Sequence, residues 1–254
     1  MIKADIENYS DFIDFARNCN CGNVYPLSIA LNNQSGDIYA LSKEYKTVLF
    51  WHCCGFAHIS GEYNEDFLAL VYDMIIDKDR KNDRRFILFS DNEQIKKFLA
   101  YKDNIEIEKR YFYEYKECDE ADILPQGCEL KVIDSKLLSE IKGRITPYFS
   151  WENGEEFLQK GKGYCMVTDG EVSAWAFSSA VSDEEIDIGV ETAEKYQHRG
   201  YARIVSRAMV KYILSQNKTP VWACHYKNTI SAKLAEKIGF YKVAECYVIK
   251  RKEN

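Results

Sequence analysis

The sequence predicts a mixed α/β fold of the α+β type, with an N-terminal domain over residues 1–125 and a C-terminal domain over residues 126–254. Three observations support this prediction. Apolar residues recur with the helical period in some segments and alternate as in strands in others. An acidic, turn-rich segment containing Pro125 and Gly127 interrupts these periodic segments near the middle of the chain. In the second half, the order strand, helix, strand indicates a parallel crossover connection.

The N-terminal domain is predicted to mix helices and strands. Residues 5–19 keep a 3.6-residue apolar period and predict the first helix. Two more helices are predicted over residues 64–77 and 91–101, the latter with Ser90 or Asp91 as its N-cap. Strands are predicted over residues 37–43, 47–60, 84–90 and 105–115. No catalytic motif is recognisable in this domain.

The C-terminal domain is predicted to follow a single order of elements. A strand and two helical segments come first, followed by three strands separated by turns, and then a helix, a strand, a helix and a closing strand. The segments are strand 128–134, helices 136–143 and 151–161, three strands within 163–192, a helix from about Arg199, strand 220–226, helix 231–239 and strand 243–251. This order makes a mixed sheet with a parallel crossover at its middle.

Composition favours a globular protein with a small-molecule partner. Hydrophobic residues make up 46% of the 254 residues, which is enough for sizeable cores. The net charge of -6 argues against nonspecific nucleic-acid binding, which needs a basic surface. The longest apolar runs fall far short of the roughly 20 residues that a membrane span needs, and the first residues lack a signal-peptide core. We therefore expect a cytoplasmic protein that binds neither nucleic acid nor a membrane.

The nine cysteines are expected to be reduced thiols, because their number is odd and the cytoplasm does not sustain structural disulfides. The candidate zinc ligands are Cys19 with Cys21, and His52 with Cys53 and Cys54. Their spacings match no usual zinc module. Burial as small apolar side chains is the better interpretation, and we expect no metal.

A basic segment, residues 196–209, follows the third of the three strands. In it, Gln197, Gly200 and Ala202 form a Q-x-x-G-x-A pattern at the start of the predicted helix. The first amides of a helix have no intrahelical acceptor and carry positive potential, so they suit a phosphate group. Gly200 permits a tight turn, and Ala202 leaves room for a pyrophosphate. The alternative is a helix that simply begins at a turn.

A second polar element, Asn228 with Ser231, lies at the end of a predicted strand and the start of the helix 231–239. Either residue is a usual N-cap, so a purely structural role is the alternative, and Gly239 is the expected stop of this helix. Asn228 and Ser231 together favour a ligand-binding role more strongly than Ser231 alone does.

Five motifs, in order and at consistent intervals, resemble those of the two-domain bacterial branch of the GCN5-related N-acetyltransferases (GNAT). They are KGKGYC, IDIGVET, YQHRGYA, PVWAC and NTISAKLAEKIGF. The first half is similar to the same branch through CGNVYPLSIA and GDIYAL, so the resemblance spans the chain. It implies a C-terminal GNAT fold whose mixed sheet is splayed at its centre and flanked by helices. It further implies acetyl-CoA binding in the gap between the strands EIDIGVET and PVWACHY.

The resemblance also implies which residues contact acetyl-CoA. Main-chain groups near Gly189, Val190 and Thr192 would bind the pantetheine arm like an added strand. Asn228 would reach the pantetheine from the other side, with Ser231 near the sulfur. The pyrophosphate would rest at the helix start, on Gln197, His198, Arg199, Gly200, Tyr201 and Ala202.

An amine acceptor needs a base, because a primary amine with a pKa near 10 is protonated at pH 7. Strand alternation places Glu185, Asp187 and Glu191 on one face. Asp187 stands where the resembled branch often carries a glutamate, so it is our first candidate, followed by Glu191 and then Glu185. The alternative is a solvated acidic edge. His225 is disfavoured as a base, since a lone histidine beside a strand end is more often structural.

The departing thiolate must also be protonated. Many relatives place a tyrosine seven residues after the asparagine for this step, whereas this chain has Ala235 there. Ser231, Tyr226 or water is left to serve. An acyl-cysteine route through Cys165 or Cys224 is disfavoured, because neither has a basic partner nearby in sequence.

The resemblance thus predicts an N-acetyltransferase that moves an acetyl group directly from acetyl-CoA to a small-molecule amine in a ternary complex. The acidic composition favours a cationic acceptor. The alternative is a non-catalytic acyl-CoA-binding sensor or interaction protein, motivated by the alanine at the tyrosine position. For the N-terminal domain, three roles are open: shaping the acceptor site, forming a homodimer, and covering a sheet edge.

Overall fold

The computed structural model describes residues 1–42, 46–77, 84–117 and 123–253. The chain forms two compact units. Unit 1 comprises Met1–Tyr111 and Ala244–Asn254, and unit 2 comprises Phe112–Val243. The predicted boundary at residue 125 stays a prediction. Lys43 of the first predicted strand, and Cys118 in the acidic segment, lie outside the described residues.

Unit 1 contains four α-helices and a mixed sheet within the described ranges. Its first helical segment begins as a 3-10 helix, Ile6–Phe12. The helices are α1 (Ile13–Arg17), α2 (Val24–Ala30), α3 (Glu65–Ile76) and α4 (Glu93–Ala100). The strands are β1 (Ile2–Lys3), β2 (Gly36–Ala40), β3 (Thr47–His52), β4 (Phe56–Gly61), β5 (Ile87–Ser90) and β6 (Ile105–Tyr115), the last of which ends in unit 2.

Unit 1 differs from the predictions in its short strand β1, which was not predicted, and in three further features. The helix α2 was not predicted, because all its residues are buried and it has no polar face to reveal a period. The predicted strand 47–60 is two strands joined by a turn. The predicted caps of α4 were wrong: Asn92 caps it, accepting from the amides of Gln94 and Ile95 at 2.8 and 3.3 Å.

In the sheet of unit 1, β1 to β4 are consecutive antiparallel neighbours. β4 and β5 are parallel, paired from Phe56 with Ile87 to His58 with Phe89, and α3 makes the crossover between them. The chain segment from Ala244 onward is the antiparallel neighbour of β5, and β6 follows it in the strand order.

Unit 2 carries the candidate site and matches the predicted order of elements. Short 3-10 helices occupy Pro147–Phe149 and Glu194–Tyr196. The helices are α5 (Ser135–Glu140), α6 (Gly154–Lys160), α7 (Tyr201–Ser215) and α8 (Thr229–Lys237). The strands are β7 (Cys128–Val132), β8 (Gly163–Thr168), β9 (Glu171–Val181), β10 (Glu185–Thr192), β11 (Thr219–His225) and β12 (Phe240–Arg251), which ends in unit 1.

The strands β7 to β10 are consecutive antiparallel neighbours, and β10 and β11 are parallel across the α7 crossover. The helix α7 packs against β8, β9 and β10 through an apolar stripe that includes Val205, Met209 and Ile213, all fully buried. Burying one such side chain contributes roughly 1.5–3 kcal/mol, so the stripe fixes where α7 begins relative to β10.

The two units repeat one order of elements. Each begins with a strand and helices, continues with three antiparallel strands, and then has a helix leading to a parallel strand, a further helix and a last strand. No repeat is evident in the sequence itself. The parallel pair is β4 with β5 in unit 1, and β10 with β11 in unit 2.

Candidate active site

The parallel strands β10 and β11 pair only at their beginning. Their register runs from Glu185 with Thr219 to Asp187 with Val221, and the described residues form no further pair. On its other edge, β10 stays paired with β9 up to Thr192. The main chain of β10 beyond Asp187 is therefore open on the side of β11, which confirms the central splay that the resemblance implies.

The helix α7 begins beside this opening with an unusual residue conformation. Gly200 is its N-cap and has a φ of 80°, in the left-handed region. Among the described residues, no side chain caps the helix, and its first turn has no acidic residue. The first amides have no intrahelical acceptor and carry the positive end of the helix dipole. A Cβ on Gly200 would meet nothing within 4 Å, so the helix start faces open space.

A cavity of about 260 Å³ lies at this helix start. Five of the sequence-predicted residues line it: Thr192, His198, Gly200, Tyr201 and Ala202. Four other residues complete its lining: Tyr196, Arg203, Leu234 and Lys237. The last two come from α8, so the cavity joins the end of β10 to both following helices.

Sequence reasoning missed the two basic residues of this lining, Arg203 and Lys237. Arg203 could have been predicted from its position, because an arginine in the first turn of a phosphate-binding helix can contact the phosphate. Nothing in the sequence placed Lys237, at the end of α8, near the start of α7. Arg199 instead turns back on the preceding loop, with its guanidinium 5.3 Å from the centre of the Tyr196 ring.

At the start of α8, Asn228 and Ser231 have defined partners. The Asn228 Oδ1 accepts from the Ser231 amide at 3.1 Å, so Asn228 is the N-cap. The Trp222 indole N–H donates to the Ser231 hydroxyl oxygen at 3.1 Å. A hydroxyl that accepts one hydrogen bond still has its own proton to donate. Ala235, at the usual tyrosine position, is fully buried.

The acidic residues of β10 differ in their surroundings. Asp187 is only 4% exposed and is the last β10 residue paired with β11. Burial raises the pKa of Glu185, and the nearby carboxylates of Glu114, Glu184 and Asp187 add to this effect. A partly buried site beside other carboxylates disfavours the charged form of a carboxyl group, so a carboxylate there accepts a proton more readily.

Glu191 holds a main-chain segment. Its Oε2 accepts from the Ile145 amide at 2.6 Å. The Trp175 indole N–H donates to the carbonyl oxygen of Ile145 at 2.7 Å. The structure thus brings Glu191 to the loop before Pro147, a contact between residues far apart in sequence.

His225 and Cys165, which the sequence disfavours as catalytic residues, have surroundings that fit a structural role. The His225 Nδ1 accepts from the Lys227 amide at 3.2 Å. Burial raises the pKa of the Cys165 thiol to about 11, which suppresses the nucleophilic thiolate. In the described ranges, the eight cysteines are free thiols, and no three His, Cys, Asp or Glu residues are grouped as metal ligands would be.

A sequence model of the family described as GNAT acetyltransferase matches residues 26–249. The chain belongs to the GNAT acetyltransferase family. It is therefore an acyltransferase, and the enzyme class predicted from the sequence is confirmed. Over the described ranges, no helix combines the length and apolarity needed to cross a membrane.

Individual GNAT relatives agree with this result. The chain is 26% identical over 186 residues to the "uncharacterized N-acetyltransferase YdfB" of Bacillus subtilis (strain 168), covering 71% of this chain and 70% of that protein. A GCN5-related N-acetyltransferase-like protein from Streptococcus suis 89/1591 has a similar structure, with a TM-score of 0.74, 20% identity, and coverage of 98% of this chain and 100% of that one. A tandem GNAT protein from the clavulanic acid biosynthesis pathway gives a TM-score of 0.62 at 11% identity, over 98% and 95%. These structural likenesses confirm the predicted fold class.

Proposed function

We propose that the protein is an N-acetyltransferase that moves an acetyl group directly from acetyl-CoA to an amine of a small molecule, in a ternary complex. One observation carries this proposal. The uncapped start of α7, with Gly200 in the left-handed conformation, lies at a cavity next to the open edge of β10. A helix start of this kind suits a pyrophosphate, and an open strand edge suits an extended amide chain.

Acetyl-CoA supplies the acetyl thioester. The amides of residues 198–202 would hold its pyrophosphate, and Arg203 and Lys237 would add positive charge at the same cavity. The main-chain groups of Gly189, Val190 and Thr192 lie on the part of β10 that has no β11 partner. Those of their N–H and C=O groups that point away from β9 would pair with the two amides of the pantetheine arm.

Asp187 is the proposed base. It lies where β10 and β11 separate, at the inner end of the opening, and its side chain is almost entirely buried. A carboxylate there would take a proton from the ammonium form of the acceptor, directly or through a water, so that the amine nitrogen can attack the thioester carbonyl. The amide of Val190 would donate a hydrogen bond to the oxyanion that develops.

Ser231 is the proposed hydrogen-bond donor to the departing thiolate. Its oxygen already accepts from Trp222, which leaves its hydroxyl proton available to the sulfur. As the tetrahedral intermediate collapses, the nitrogen releases its second proton to solvent and the thiolate takes one up from solvent. Solvent is adequate for this step because a thiol pKa near 8.5 makes the thiolate a tolerable leaving group. Ser231 would thus perform part of the role of the tyrosine that Ala235 replaces.

The family assignment favours the transferase over the non-catalytic acyl-CoA-binding alternative. Titration calorimetry with acetyl-CoA and CoA, followed by thiol release against a panel of amines, tests the proposal. Binding with turnover on an amine supports the proposed acceptor class, and binding without turnover on any amine would contradict it. Absence of CoA binding would contradict the proposed site as well.

A further inference from the structure

We propose that Glu191 is a positioning residue and not the base: together with Trp175 it clamps the loop of residues 142–146 against the face of β10 that carries Asp187. The inference rests on the proposed function, since it assigns the loop to the acceptor side of the same site. It also separates the roles of two acidic residues that the sequence pattern alone cannot distinguish.

The clamp holds both main-chain groups of one residue. The Ile145 amide donates to the Glu191 Oε2 at 2.6 Å, and the Ile145 carbonyl accepts from the Trp175 indole at 2.7 Å. Glu191 and Trp175 are themselves direct neighbours across β10 and β9. Trp175 is 1% exposed, so its ring is fixed by the core of unit 2. A residue whose N–H and C=O are both held in this way cannot withdraw without losing two hydrogen bonds.

The loop is packed closely against the side chains of Glu191 and Trp175, as well as hydrogen-bonded to them. A Cβ added to Gly143 would lie 2.4 Å from the Glu191 Oε2 and 2.7 Å from Cζ2 of Trp175. Both distances are shorter than van der Waals contact. Gly143 is therefore needed for its small size, because the loop main chain lies directly against the two clamping side chains.

The loop lies on the same side of β10 as the proposed base. Alternation along a strand puts Asp187 and Glu191 on one face. The β-bulge after Asp187 does not disturb this alternation, because the extra residue, Ser179, belongs to β9. A loop fixed at Glu191 therefore lies on the face of β10 from which an amine would approach Asp187, four residues earlier in the strand. The carboxylate of Glu191 is engaged by a main-chain amide, so its contribution is to the position of the acceptor.

The substitutions Glu191→Gln and Glu191→Ala test this proposal. Glutamine has the same shape and can still accept from the Ile145 amide, but it cannot serve as a base. We expect E191Q to keep turnover and its pH profile within about threefold of wild type. We expect E191A to raise the acceptor KM at least about tenfold, with acetyl-CoA affinity unchanged. A loss of about 100-fold or more in E191Q turnover would instead identify Glu191 as the base and overturn the proposal.

Hydrogen exchange of the peptide containing residues 142–147 gives a readout that needs no acceptor. We expect faster exchange in E191A and in Trp175→Phe, and wild-type exchange in E191Q. Trp151→Phe is the matched control, because it removes an indole bond to a different carbonyl, that of Ser178, at 2.8 Å. Unchanged exchange in E191A would overturn the clamp. If no amine is acetylated by the wild type, the proposed function fails, while exchange still decides whether the clamp exists.

Discussion

Gly200 combines a left-handed backbone with an uncapped helix start, and these two properties make it the most informative single residue of the site. We expect Gly200→Asp to weaken acetyl-CoA binding by roughly 30- to 100-fold, because an anion would face the pyrophosphate and cancel about 2–3 kcal/mol of charge-assisted hydrogen bonding. Titration calorimetry measures this change.

Gly200→Asn is the matched control for this substitution. Asparagine has nearly the shape of aspartate, tolerates positive φ as well, and carries no charge. We expect it to weaken binding by less than about tenfold. If the two variants bind acetyl-CoA equally, charge at Gly200 is irrelevant and the phosphate site lies elsewhere.

Asp187 is expected to affect chemistry and not binding. Asp187→Asn should lower turnover by roughly 100-fold or more, the usual contribution of a general base, with acetyl-CoA affinity nearly unchanged. Glu185→Gln is the control, because Glu185 lies on the same face but two residues further from the opening, at the start of the pairing with β11, and its replacement should cost far less activity. Initial rates of thiol release measure both. Wild-type turnover in D187N would move the base to another residue.

At the scale of elements, the helices α8 and α4 have equivalent caps with different expected consequences. Asn228 caps α8 and Asn92 caps α4, each through its side-chain oxygen. Replacing either by alanine should lower the free energy of unfolding by about 1 kcal/mol, the usual value of an N-cap. We expect only Asn228→Ala to weaken acetyl-CoA binding as well. Urea unfolding and calorimetry on both variants check this, and equal acetyl-CoA affinity in the two would contradict a ligand role for Asn228.

The strands β3 and β4 bury two histidines that make unit 1 sensitive to acid. Burial lowers the pKa of His52 to about 3 and that of His58 to about 4. In the unfolded chain their pKa is about 6.5, so below this pH the unfolded state binds protons that the folded state does not. The stability present above pH 6.5 is therefore lost towards pH 3–4, by about 1.4 kcal/mol per pH unit for each histidine.

Urea unfolding between pH 7 and pH 5 measures this loss. His52→Gln should remove one of the two proton-binding events and reduce the pH dependence of the free energy of unfolding by about half. A pH dependence identical to that of the wild type would show that His52 is not kept neutral by folding.

The elements that were predicted from the sequence show periodic apolar residues or turn residues, which the unpredicted helix α2 lacks. In unit 2, each strand and helix has its own periodic face or turn residues, and the predicted order is confirmed. The helix α2 has no exposed face, so its sequence shows no helical alternation of polar and apolar residues. The left-handed conformation of Gly200 was foreseeable from residue type. The bond between Glu191 and Ile145 was not, because tertiary packing alone brings them together.

In the whole molecule, the two units share an order of elements, but their crossover helices begin differently. In unit 1, the crossover helix α3 is capped by Asn64, whose side chain accepts from the Phe67 amide at 2.9 Å. Glu65 and Asp66 add two negative charges to its first turn. The corresponding helix of unit 2 begins at Gly200 with neither a cap nor an acid. The helix start in unit 1 therefore repels phosphate, and we expect only unit 2 to bind acetyl-CoA.

Titration calorimetry of acetyl-CoA into the whole wild-type chain measures both the affinity and the number of acetyl-CoA sites. We expect one molecule of acetyl-CoA to bind per chain, at the start of α7. Binding of two molecules per chain, or no binding at all, would contradict this expectation.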